Sequence, residues 1–115
     1  MTISEFETKR FEKELEKFLA IRRPHPSIRH ELDMGYRMEN QSIEIFSIRP
    51  DWQDPDKTME ESHAKATFVK SKGIWKIFWQ RGDLKWHAYE PTPSVRHLEE
   101  FLEIVINDEY ACFFG

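Results

Sequence analysis

The chain has 115 residues, of which 33% are charged and 14% aromatic, and a formal net charge of −4. That length suits one domain, 1–115, since two cores of half the size would each be marginal. No run approaches the roughly 18 apolar residues of a membrane span, and the single cysteine, Cys112, excludes an internal disulfide and a thiolate-rich zinc site. The N-terminal stretch is acidic where an export signal would be basic and then apolar, so the expected setting is cytoplasmic, with no membrane partner.

Ser4, with Glu7 three residues on, predicts a reciprocally capped helix that carries Phe11, Leu15, Phe18 and Leu19 at helical spacing. It runs to about Arg22, because Pro24 and Pro26 cannot continue it. Leu32, Met34, Tyr36 and Met38 alternate with polar residues, and strand character resumes from Ser42 to Arg49. A two-residue turn at Asn40-Gln41 then sets Met38 against Ile43, Tyr36 against Ile45 and Arg37 against Glu44. The acidic segment from Pro50 to about Ser62 has no period and reads as an exposed connection, with Trp52 folding back onto the domain.

Ala64 to Lys70 and Ile74 to Arg81 read as strands joined through Gly73, a residue free to take positive φ. A two-residue Gly82-Asp83 loop leads to a last strand, Leu84 to Glu90. Thr92 is the expected cap of a final helix with Pro93 in its first turn and Leu98, Phe101, Leu102 and Val105 as its apolar stripe. The fold class is therefore α+β: a five-stranded antiparallel sheet, hairpin plus three-stranded meander, with the N-terminal and C-terminal helices packed on one face.

The stretch from Ala64 to Glu90 holds Trp75, Trp79 and Trp86 and is basic within an acidic chain. With the two-residue loop, Trp79 faces Trp86 and Ile77 faces Ala88, with Val69 and Trp75 paired farther along, on the side the helices cover. The other side presents Phe68, Lys76, Phe78, His87 and Tyr89 as a candidate binding surface, along with Ala64, Ala66, Ile74, Gln80 and Lys85. A three-residue loop, Arg81-Gly82-Asp83, would move Trp86 to this second side and take His87 and Tyr89 off it, because side chains alternate with period two. The segment from Asp51 to Glu61, acidic against a basic sheet, is the candidate cover for that surface.

Such a surface suits a non-enzymatic interaction module, with a homodimer or a protein partner preferred. Single-stranded nucleic acid is the alternative, since rings beside lysines can stack bases and meet phosphates. Few glycines and an acidic total count against it. Catalysis is the least favoured reading: His25, His30, His63, His87 and His97 are dispersed, and no spacing sets two imidazoles on one ion, so neither metal nor cofactor is expected. His87, Lys76 and Glu90 could transfer protons in a shared pocket, and Cys112 could be a nucleophile beside a histidine. Asp51, Asp54 and Asp56 lack the glycine of a calcium loop.

Arg22 to Pro24, LDMGYRMENQSIEIFSIRPDW, KATFVKSKGIWKIFWQRGDLKWHAYEP and the terminal CFFG together resemble a family of small bacterial proteins known only as a domain of unknown function. The resemblance implies a bacterial cytosolic protein and carries no activity, cofactor or catalytic residue with it.

Overall fold

Ser4 opens the first helix as a capping serine. In the computed structural model, which describes residues 3–110 and 112–113, its hydroxyl accepts from the Glu7 N–H and the Glu7 carboxylate accepts from the Ser4 N–H, both at 3.1 Å. Helix α1, Glu5–Arg22, follows and buries Phe11, Leu15 and Phe18. The Glu7 carboxyl lies below its ordinary range, because the Ser4 amide and hydroxyl bond its ionised form and Lys70 stands beside it at 3.2 Å. Ser4→Ala is expected to cost about 1 kcal/mol, read as a lower urea midpoint at unchanged slope.

Past the helix, Arg23 is extended ahead of Pro24. Its guanidinium forks onto the Asp33 carboxylate at 2.7 and 2.8 Å, tying the end of α1 to the start of the sheet. That guanidinium is also the main reason the Asp33 carboxyl is held below the usual carboxylate range.

Strands β1 (Asp33–Glu39) and β2 (Ser42–Pro50) form the predicted hairpin. Asn40 takes φ 56°, the left-handed turn conformation asparagine tolerates, and Met38 faces Ile43, Tyr36 faces Ile45 and Arg37 faces Glu44. Strand β3 (Thr58–Val69) begins at Thr58 rather than Ala64, with Thr58 to Ser62 paired against Pro50 to Phe46. This arm is wet on both sides, so no apolar alternation marks it in the sequence. The connection shrinks to 51–57, closed by the Asp51 N–H on the Lys57 carbonyl at 2.9 Å. Trp52 does not fold back: it stands 82% exposed on that loop.

Strands β4 (Ile74–Gln80) and β5 (Trp86–Ala88) complete the antiparallel order β1-β2-β3-β4-β5. A short sixth strand, β6 (Ser94–Val95), shares the outer edge of β4 with β5. The Tyr89 N–H donates to the Ile77 carbonyl and the Ile77 N–H to the Pro93 carbonyl, both at 3.0 Å. Because the chain returns to the sheet here, Thr92 and Pro93 do not open the last helix. Helix α2, Leu98–Asn107, starts after His97, whose N–H donates to the Glu100 carboxylate at 3.1 Å.

The fold is α+β, an open antiparallel sheet with one N-terminal and one C-terminal helix. Leu98, Phe101, Leu102 and Val105 of α2 join the α1 stripe, Ile43, Ile45, Trp75 and Ile77 in one cluster. Ala64 and Ala66, fully buried at the middle of the sheet, keep that face shallow beneath the larger side chains. Among the described residues no helix is long and apolar enough to cross a membrane.

Candidate functional site

One connection decides which side chains the uncovered face presents. Between β4 and β5 the register is Gln80 to Trp86, Trp79 to His87 and Phe78 to Ala88, so the loop has five residues, Arg81 to Lys85, rather than two. Asp83 organises it: its carboxylate accepts from the Lys85 N–H at 2.9 Å and takes His87 Nε2 at 2.9 Å, while Leu84 adopts φ 62°. Those bonds, the Lys85 amide first, hold the Asp83 carboxyl below its usual range. The odd loop length reverses the parity of β5. Trp86 joins Phe78 and Gln80 on the open side, and His87 lies on the helix side opposite Trp79.

The β3–β4 register makes a second correction, pairing Phe68 rather than Val69 with Trp75. Phe68 is therefore buried, its ring centroid 5.9 Å from Phe11 and 4.8 Å from Trp75. Tyr89 is also buried, 3% exposed with its ring 5.0 Å from Phe113, and burial raises its hydroxyl pKa. Of the five predicted surface residues, Phe68 and Tyr89 belong to the core and His87 to the loop network. Lys76 and Phe78 remain on the open face, where Trp86 and Lys65 join them.

Across the strands that face reads Arg37, Glu44, Lys65, Phe78, Ala88 in one row. Its β1–β3 half neutralises itself. Arg37 pairs with Glu60 at 2.5 Å and with Glu44 at 3.7 Å and lies 4.8 Å over the Phe46 ring, while the Ser62 hydroxyl donates to Glu44. Lys65 reaches the other way, its ammonium 5.3 Å from the Phe78 ring and 4.9 Å from the Trp86 ring. The β4 edge is different in kind. Because β5 and β6 share that edge and the chain swings outward between them, a trough of about 340 Å³ opens, lined by Ile74, Phe78, Ala88, Pro93, Ser94 and Lys76. Lys76 is exposed, and among the described residues no carboxylate pairs with it.

A second depression, about 310 Å³, gathers Trp79, Arg81, His87, Glu90, Pro91 and Cys112. The Arg81 guanidinium lies 5.4 Å over Trp79. Burial, aided by Asp108, pushes the Cys112 thiol up in pKa, so it is protonated at neutral pH and a poor nucleophile. The proposed proton-transfer trio does not assemble: His87 and Glu90 line this cleft, whereas Lys76 lies on the opposite face. Among the described residues no group of three or more histidine, cysteine, aspartate or glutamate side chains converges as for a metal ion.

Residues 3–115 match the family described as domain of unknown function DUF3024. The chain belongs to that family. The match takes in every strand and both helices, so the trough and the Cys112 cleft both lie within the DUF3024 domain. No curated protein and no solved structure matches the chain.

Proposed function

We propose that the chain is a small non-enzymatic interaction module whose open sheet face takes an acidic protein segment bearing one aromatic side chain. The trough on β4 carries this reading, because its walls, Ile74, Phe78, Ala88 and Pro93, are apolar and an exposed ammonium, Lys76, stands at the rim. Apolar walls with one placed charge accept a ring and orient an acid beside it, and a volume near 300 Å³ is at the small end of binding sites. Nucleic acid is the weaker reading. Lys65 already lies over the Phe78 and Trp86 rings that bases would stack on, and Glu44 and Glu60 cancel Arg37 on the same face. A bacterial cytoplasmic setting goes with this reading, in which the single cysteine is free.

The experiment is a magnetic-resonance titration of the full chain with a pentapeptide that holds tryptophan between paired aspartates. The amides of Ile74 to Phe78 and of Ala88 are expected to shift and saturate. Lys76→Glu is expected to weaken binding about tenfold, equivalent to roughly 1.4 kcal/mol. A mixed-sequence single-stranded oligonucleotide is expected to leave those amides unmoved. Shifts with the oligonucleotide alone would transfer the face to nucleic acid, and silence with both probes would end the interaction reading.

A further inference from the structure

We infer that the segment the trough takes is the β2–β3 connection of a second copy of this chain, with Trp52 as its anchor. This rests on the interaction reading above. Trp52 is the most exposed large apolar residue described, at 82%, on a loop flanked by Asp51, Asp54 and Asp56. The loop is already shaped: the Asp51 carboxylate accepts from the Gln53 N–H at 2.9 Å, the Asp54 carboxylate from the Asp56 N–H at 3.2 Å, and the Lys57 N–H donates to the Asp54 carbonyl at 2.9 Å. A ring held out on an ordered turn loses little freedom on docking.

The chain cannot satisfy itself. Thr67 is the residue opposite Lys76, and Thr58 begins β3 beside the loop. At about 3.3 Å per residue, the β3 stretch between them holds loop and trough roughly 30 Å apart. Paired strands do not fold back over such a distance, so the acidic loop and the basic rim can meet only between molecules. Their charges are complementary: Asp54 is already paired with Lys57 at 3.9 Å, which leaves Asp51 and Asp56 beside the ring on one side and Lys76 on the other. In a two-fold pair the contact is made twice and the assembly closes at two copies.

Sedimentation of the full chain over a wide range of concentration tests this. The wild type is expected to move from monomer toward dimer mass, and Trp52→Ala to weaken that association at least tenfold. Trp52 is too exposed for its removal to disturb the fold, and matching circular dichroism of the two proteins checks this. Lys76→Glu is expected to weaken association similarly. A wild type that stays monomeric, or a dimer that persists unchanged in Trp52→Ala, overturns the inference. The paired-aspartate pentapeptide, titrated into the Trp52→Ala protein, separates the two failures. If it still shifts the Ile74 to Phe78 amides, the trough binds acidic segments from another source; if it does not, the interaction reading falls as well.

Discussion

Trp75→Ala is expected to lower stability by about 3–5 kcal/mol, a large share of the roughly 5–15 kcal/mol typical of a domain. The indole is 1% exposed, edge-on to Phe11 at 4.9 Å and tilted against Phe68 at 4.8 Å. It therefore joins α1 to β3 and β4 at once, so its removal leaves a cavity among all three. Trp86→Ala, by contrast, removes a half-buried ring that carries the Lys65 ammonium 4.9 Å from its centre, and is expected to cost about 1 kcal/mol or less. Urea unfolding followed by circular dichroism compares the two. Equal losses, or the reverse order, would mean that Trp86 is a core residue and that Gln80 does not face it.

That comparison also marks how far the sequence could be read. The α1 cap, the Asn40 turn and the first hairpin register were legible because each rests on local chemistry: a hydroxyl three residues before a glutamate, or a charge pair that fits only one alignment. The β4–β5 register was not. Trp79 and Trp86 are both large and apolar, and Lys76, Lys85 and His87 alternate with them, so either parity yields an apolar side and a mixed side. What settled it was the Asp83 carboxylate binding both the Lys85 amide and the His87 ring, a network that needs the longer loop. The candidate surface inherited this ambiguity. Lys76 and Phe78, on a strand whose own alternation is unmistakable, stayed where they were predicted; Tyr89, beyond the loop, and Phe68, beyond a one-residue shift at the β3–β4 turn, moved into the core. The Thr58 to Ser62 strand and β6 are not legible in the sequence for another reason. The first is exposed from Thr58 to Glu61 and the second is two residues long, so neither carries a period to detect.

His63 should make stability depend on pH in a window separate from the carboxylates. It sits at the β-bulge opposite Ile45 and Phe46, where its Nδ1 meets the Phe113 carbonyl at 2.9 Å and its Nε2 meets the Ser47 hydroxyl at 2.5 Å. A carbonyl only accepts, so Nδ1 carries the proton and the hydroxyl donates to Nε2. Burial lowers the pKa below the ordinary histidine value, outweighing the Phe113 carbonyl and Glu61, which favour the charged form; Arg49 and Arg22 add to the lowering. The unfolded chain thus takes up a proton near pH 6.5 that the folded chain refuses. Stability is full above that pH and falls as pH drops through it, by at most about 1.4 kcal/mol per pH unit for one proton. Glu7, Asp33 and Asp83 have lowered values, so their contributions are lost only at more acid pH. In urea titrations at about pH 7 and pH 5.5, the wild type is expected to lose stability and His63→Gln, which cannot titrate, to lose distinctly less. His63→Ala is expected to be less stable at both, by about 1–3 kcal/mol for each partner left unsatisfied, Ser47 and the Phe113 carbonyl. Equal pH responses in the wild type and His63→Gln would mean that the imidazole is solvated and that the segment carrying Phe113 is not held against the sheet.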